Sequence, residues 1–310
     1  HFMSYDLIII GAGPGGTAGA VYAARKQLNT LLVAKEIGGQ STVSETIYNW
    51  IGTPEISGHA LAESFRSHMK GYDGKYLTLK EGSNVTTVEK DGDIFKVTLE
   101  NGEVEMGKSI LITSGSGRRK LTIPGADIFE HKGITYCASC DGPLFSDQDV
   151  VVIGGGNAGF ETAAQLLAYC KSVTLMHRSE SFRADEITVE KVLANPHMKA
   201  IKNAELIEVK GDKFVSGLVY KDKISGVTHE IPTTGIFVEV GQIPNTSLVE
   251  NLVTLDDNKK IVVDPWTQRS SVEGIWAAGD ATNGLYHQNN IATGDAVKAL
   301  EDLYVWLKTR

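Results

Sequence analysis

An α/β architecture with two nucleotide-binding domains, the second inserted in the first, follows from three features of this 310-residue chain. A short apolar run ends in a glycine turn twice, at Gly11 and again at Gly154. Each turn opens a helix-forming stretch that leads into another apolar run, which is the repeating unit of a parallel sheet. Alternating segments separated by Asp91-Gly92 and Asn101-Gly102 add hairpins between the two copies.

In chain order, residues 5–10 are apolar and rich in Ile, and they predict a strand. Gly11-Ala12-Gly13-Pro14-Gly15-Gly16 makes the turn, the Ala-rich residues 17–26 predict a helix, and residues 30–34 the next strand. Residues 85–90, 94–100 and 103–114 alternate or run apolar and predict three more strands. The pattern then restarts, with a strand over 150–153, a glycine turn over 154–159, a helix over 160–169 and a strand over 172–176. Strand signals continue through 201–240, and an Ala-rich helix begins near Ile291. Two such units imply two domains. We place one at residues 4–116 plus 246–310 and the other at 117–245, with seams that carry Gly and Pro.

Composition narrows the partners. A net charge of -8 argues against nucleic acid, which needs clustered Lys and Arg to neutralise phosphates. No apolar run approaches the roughly 20 residues that span a bilayer, so no membrane partner is expected. The start, His1-Phe2-Met3-Ser4, lacks the pattern of a signal peptide, and His1 and Phe2 are set aside as a cloning remnant. Three cysteines are too few for a disulfide scaffold, and two stand as Cys137-Ala138-Ser139-Cys140. Without an export signal, that spacing reads as redox chemistry or half a metal site in a cytoplasmic protein.

The first glycine motif, Gly11, Gly13 and Gly16, suits a pyrophosphate seated on a helix N-terminus, and Glu36 lies about 20 residues further on, where an acid usually holds a ribose. The second motif, Gly154, Gly156 and Gly159, leads to a strand ending in His177-Arg178, with Arg183 following. Arginine there suits a 2′-phosphate and favours NADPH over NADH; the bland reading is a solvated basic turn. Cys137 and Cys140 can close a readily exchanged disulfide, and Asp141 can move the proton when it opens. A closed zinc site needs four ligands, and the remaining Cys170 stands alone in an expected helix, where it reads as a small apolar residue. His131 and His197 have no such context.

Two nucleotide motifs flanking C-x-x-C make the sequence resemble the low-molecular-weight thioredoxin reductase family, FAD- and NAD(P)-linked pyridine nucleotide-disulfide oxidoreductases. The likeness runs from Tyr5 to the last helix and is carried by Gly38-Gly39-Gln40, Thr113-Ser114-Gly115, Ile123-Pro124-Gly125, Cys137 to Gly142, residues 235–245 and Ala277-Ala278-Gly279-Asp280. It implies two Rossmann-like three-layer domains, FAD on the outer one and NADPH plus the redox pair on the inner. FAD contacts would come from Gly11, Gly13, Pro14, Gly16, Glu36, Gly39, Gln40, Asn49, Gly115, Gly279, Asp280, His287, Gln288 and Ile291. NADPH contacts would come from Gly154, Gly156, Asn157, Gly159, His177, Arg178 and Arg183. Cys140 would be the flavin-proximal thiol, Cys137 the one that attacks the partner, and Asp141 the acid/base. The resemblance also implies a homodimer, a thioredoxin or thioredoxin-like partner, and rotation of the inner domain about the two seams.

Departures concern the electron donor. Ser179 replaces a second arginine, Asn157 an acid, and Gly159 an alanine; we expect that last exchange to be nearly neutral. The run 154–161 is similar to the flavoprotein component of alkyl hydroperoxide reductase, which uses NADH, although that relative has an acid at the position of His177. His287 stands where arginine is common. NADH or ferredoxin as donor, and a dithiol oxidase that passes electrons to oxygen, are the competing readings; Arg178 and Arg183 weigh against the oxidase. No second C-x-x-C precedes Tyr5, so a fused peroxiredoxin-reducing module is not expected.

Overall fold

The computed structural model describes residues 4–44 and 46–310, so His1 and Phe2 lie outside the described residues. The chain divides into two compact units, one running to Gly117 and resuming at Ile243, the other spanning Arg118–Gln242. These limits differ by one to three residues from the seams placed at 116/117 and 245/246.

The first unit begins with β1 (Leu7–Ala12), α1 (Pro14–Arg25) and β2 (Thr30–Ile37). Leu7, Ile8 and Ile9 are fully buried, each worth about 1.5–3 kcal/mol. Pro14 occupies the first turn of α1, where its missing N–H costs nothing. Glycines at 15, 16 and 19 bring the helix backbone close: a Cβ on Gly19 would stand 2.7 Å from Leu111. α2 (Gly58–Lys70) follows, a helix the sequence pattern did not announce. Ser57 caps it by accepting from the Ala60 amide at 3.1 Å, and Leu61, Phe65 and Met69 bury one face at helical spacing.

β3 (Leu77–Glu81) pairs with β2, and a meander of β4 (Val85–Asp91), β5 (Ile94–Leu99) and β6 (Val104–Gly107) follows. The expected single strand over 103–114 is two: β6 closes the meander and β7 (Ile110–Ile112) joins the parallel sheet beside β1. The break falls at Gly107, where a Cβ would lie 2.8 Å from the Ile8 side chain. β8 (Ser116–Arg118) carries the chain into the second unit.

There β9 (Ile134–Thr135) leads into a short helix, α3 (Ala138–Asp141), and then β10 (Asp149–Ile153), α4 (Asn157–Leu166), β11 (Ser172–Met176), α5 (Glu186–Leu193) and β12 (Met198–Ile201). An antiparallel trio, β13 (Ala204–Gly211), β14 (Val215–Asp222) and β15 (Thr228–Pro232), precedes β16 (Gly235–Val238). The sheet order is β12-β11-β10-β16-β9, all parallel. Cys170 lies beyond the end of α4, not within the helix as expected, and is buried in the core under that helix.

The chain returns through β17 (Gln242–Pro244) and β18 (Ile275–Ala277) to α6 (Asn289–Lys308). The sheet of the first unit is ordered β18-β7-β1-β2-β3. In both units the strand that ends in the glycine turn sits inside the sheet with parallel neighbours on each side. Among the described residues no helix is long and apolar enough to cross a membrane.

Candidate functional site

The first glycine turn is built by necessity. Gly11 has φ +100°, and a Cβ there would stand 2.4 Å from the Thr113 carbonyl oxygen; one on Gly16 would stand 1.8 Å from that of Gly11. Gly13 is different, because its nearest neighbour to an added Cβ is Gly39 at 3.9 Å, which leaves the turn open on that side. No side chain caps α1, and no acid sits in its first turn, so the leading amides face an anion-accepting space. The buried Thr17 hydroxyl in that turn also lacks a partner among the described residues. Glu36 is exposed near the carboxyl end of the adjacent β2. A pyrophosphate and a ribose fit these groups.

Around this turn the chain is laced by polar contacts. Gly279, at φ +75°, and Gly15 both approach Ala292 in the first turn of α6, each to 3.1 Å of an added Cβ. Asn49 donates to Gln288 at 3.2 Å, its carbonyl accepts from Asn290 at 2.7 Å, and Ser41 donates to Asn289 at 3.0 Å. Gln40, on the 39–43 turn, and Ile291 are exposed, and Gly115 holds φ +66°. Lys260, which the sequence did not single out, places its ammonium 2.9 Å from His287 Nε2, while His287 Nδ1 stands 3.5 Å from Asp280. Burial pulls the Lys260 pKa down, against the attraction of Asp280 and Asp256.

The second turn repeats the first in stricter form. Gly154 has φ +130°, and an added Cβ would stand 2.2 Å from the Glu239 carbonyl oxygen. A Cβ on Gly159 would stand 1.9 Å from the Gly154 carbonyl oxygen. In this backbone the helix approaches the turn too closely at 159 to leave room for a side chain. Gly156 has nothing within 4 Å, so one side of the turn is open. The segment after β11 is tied onto the loop: the Arg183 amide donates to Gly155 O at 2.8 Å, and the Asp185 amide to Asn157 Oδ1 at 2.9 Å.

His177 is buried beneath Gly155, its Nε2 at 3.0 Å from the Ser181 carbonyl oxygen. Burial lowers its pKa, so it shapes the loop and offers no ready charge. Arg178 and Arg183 are exposed and form no ion pair among the described residues. Two free guanidinium groups beside an open helix N-terminus suit a phosphate.

Cys137 and Cys140 form a disulfide with Cα atoms 5.3 Å apart. The Cys140 amide points at Cys137 Sγ, 3.2 Å away. Asp141 ends the same short helix, and burial pushes its pKa up while Thr135, His131 and Arg118 pull it down. Thr135, missed from sequence, donates to the Asp141 carboxylate and accepts from the Cys137 amide at 3.3 Å. Its position two residues before Cys137 was the available signal. The Cys170 thiol is pushed up to about 11 by burial, which keeps it protonated and unreactive.

The arrangement comprises two open glycine cradles and an exchangeable disulfide beside a carboxyl group. A profile of the pyridine nucleotide-disulphide oxidoreductase family matches residues 5–296. One component of the alkyl hydroperoxide reductase of Escherichia coli (strain K12) is 37% identical over 96% of this chain and 57% of its own length. A protein named NADH dehydrogenase from Bacillus subtilis (strain 168) is 36% identical over 95% of this chain, again 57% of its own length. The crystal structure of thioredoxin reductase from Streptococcus pyogenes MGAS5005 superposes with a TM-score of 0.92 at 31% identity, covering 99% of each chain.

The chain belongs to the pyridine nucleotide-disulphide oxidoreductase family. It is thus an α/β oxidoreductase with two Rossmann-like domains, and the family implies FAD and a pyridine nucleotide. It spans just over half the length of these two curated relatives.

Proposed function

We propose that this chain is a reductase of protein disulfides, taking electrons from NADPH and delivering them through Cys137 and Cys140 to thioredoxin or a thioredoxin-like protein. The observation that carries this reading is the Cys137–Cys140 disulfide next to a carboxyl group of raised pKa, in a chain with two separate dinucleotide cradles. FAD, when bound, supplies a carrier that accepts the electron pair from the nicotinamide and passes it to a disulfide.

In this reading residues 4–116 and 246–310 hold FAD. Gly11, Gly13, Pro14 and Gly16 take its pyrophosphate, and Glu36 the ribose. Gly39, Gln40, Asn49, Gly115, Gly279, Asp280, His287, Gln288 and Ile291 line the rest. Residues 117–245 take NADPH at Gly154, Gly156, Asn157 and Gly159, with Arg178 and Arg183 on the 2′-phosphate.

Cys137 and Cys140 then exchange with the partner. The Cys137 thiolate attacks the partner disulfide, a mixed disulfide forms and one partner thiolate leaves. Cys140 attacks Cys137 Sγ, the internal disulfide closes and the second partner thiolate leaves. Asp141 holds the proton that the sulfurs lose and regain. We further infer a homodimer acting in the cytoplasm.

A second reading is specifically favoured by Gly159 and by the relative named for NADH: the same chemistry driven by NADH. Disulfide reduction of thioredoxin, followed with each nucleotide separately, tests both. Turnover with NADPH well above NADH supports the first reading. Turnover only with NADH replaces it with the second, and no turnover with any protein disulfide overturns both.

A further inference from the structure

Thr135 ends β9, is 6% exposed, and stands two residues before Cys137. Its hydroxyl bridges two groups of the redox centre. It accepts a hydrogen bond from the Cys137 amide at 3.3 Å and donates its hydrogen to Oδ2 of Asp141. A hydroxyl has one hydrogen to give, so with that hydrogen spent on Oδ2 it favours the carboxylate over the acid there. We propose that Thr135 is a positioning residue of the redox centre, whose hydroxyl fixes the Asp141 carboxyl against the Cys137 backbone and sets the pH at which that carboxyl can supply a proton to a leaving sulfur.

The proposal deepens the reading of Asp141 as acid/base and rests on it. The charged and titratable groups acting on Asp141 are few: Arg118 from β8 and His131 from the loop before β9, both of which favour the carboxylate. His131 is itself 3.9 Å from Glu130, which Lys120 holds at 2.7 Å. Burial of Asp141 opposes all of these and keeps the acid form accessible. Thr135 is the one neutral group in the set, so its removal changes no formal charge.

The test uses the whole chain, oxidised, with dithiothreitol as reductant and no nucleotide added. Dithiothreitol gives up two electrons and two protons and closes to its ring disulfide, while Cys137–Cys140 takes both electrons and ends as two thiols. The rate of opening is measured against pH and divided by the rate for a small reference disulfide, which cancels the ionisation of the reductant. The parent protein shows a midpoint above which opening slows as Asp141 loses its proton. Thr135→Val moves that midpoint upward, because a bond to the carboxylate is gone, and Thr135→Ser restores it. An unshifted midpoint in Thr135→Val overturns the proposal.

Should Thr135→Val not fold, Thr135→Ala against Thr135→Ser decides in the same way. Asp141→Asn separates the two levels of inference: it abolishes the midpoint if Asp141 is the acid. A midpoint that survives in Asp141→Asn overturns the acid/base assignment and the Thr135 proposal together. A midpoint lost there but unmoved in Thr135→Val overturns Thr135 alone.

Discussion

Thr162, in the second turn of α4, donates its hydroxyl hydrogen to Glu239 at 2.8 Å, and so ties the helix to the end of β16 just where the Glu239 backbone backs the Gly154 turn. Burial pushes the Glu239 pKa up, with Glu161 adding to the effect; Thr162 and Arg118 oppose it. An unfolded chain loses this proton in the ordinary carboxylate range, whereas the folded one holds it to higher pH. Stability therefore falls as pH rises through that window, and the deficit persists above it. Glu239→Gln keeps the acceptor for Thr162 and removes the deficit. The variant should melt ~2–4 °C higher at neutral pH and at the same temperature as the parent near pH 4. A melting difference independent of pH would contradict the assignment.

The two glycines of the second turn make opposite predictions. A Cβ on Gly159 collides with the Gly154 carbonyl oxygen at 1.9 Å, while one on Gly156 meets nothing within 4 Å. Gly159→Ala should cost about 1–3 kcal/mol of stability in chemical unfolding as the helix is forced off the strand. Gly156→Ala should unfold like the parent yet weaken nucleotide binding, since it narrows the open side of the turn.

How far these features were legible depended on what local sequence encodes. The βαβ units were readable because β1 and β10 are apolar runs that stop at a glycine forced into positive φ, a signal confined to neighbouring residues. α2 carries a local signal as well, a serine cap with Leu61, Phe65 and Met69 at helical spacing, but it was passed over because no glycine turn or long apolar run marks it. The 103–114 run was misread as one strand because its division depends on Gly107 meeting Ile8, a contact across 99 residues. His177 and Arg178 stand side by side in the sequence as expected nucleotide contacts, with nothing local to tell their surroundings apart. Only the fold shows one pointing under Gly155 and the other remaining exposed. Lys260 escaped notice because it acquires its meaning from His287, 27 residues further on, whereas the partners of Thr135 lie only two and six residues away, so its place before Cys137 was a readable signal.

Arg178 and Arg183 govern the choice between the two nucleotides. Each bond from a guanidinium to a phosphate is worth about 1.5–3 kcal/mol. Arg178→Ala and Arg183→Ala should each weaken NADPH binding about 10- to 100-fold and leave NADH nearly unchanged, as read by quenching of nucleotide fluorescence. Equal losses for both nucleotides would mean that these side chains support the loop and do not read the 2′-phosphate.

Lys260 donates to His287 Nε2 at 2.9 Å, which leaves the ring hydrogen on Nδ1 toward Asp280. Lys260→Met removes the cation that orders this group in the first unit. The dissociation constant for FAD, read from visible absorbance in equilibrium dialysis, should rise about tenfold, corresponding to ~1.4 kcal/mol. An unchanged constant would detach this trio of residues from the FAD cradle.

The central claim is that electrons from a reduced nicotinamide reach Cys137 and Cys140. The most direct measurement is anaerobic titration of the flavin-loaded chain with NADPH, with the thiols trapped by alkylation and located by mass. The account predicts that the flavin is first reoxidised by the disulfide, so that Cys137 and Cys140 both become alkylated while Cys170 does not, and that Cys140→Ser bleaches without passing electrons on. A chain that consumes the nucleotide and keeps Cys137–Cys140 closed would contradict it.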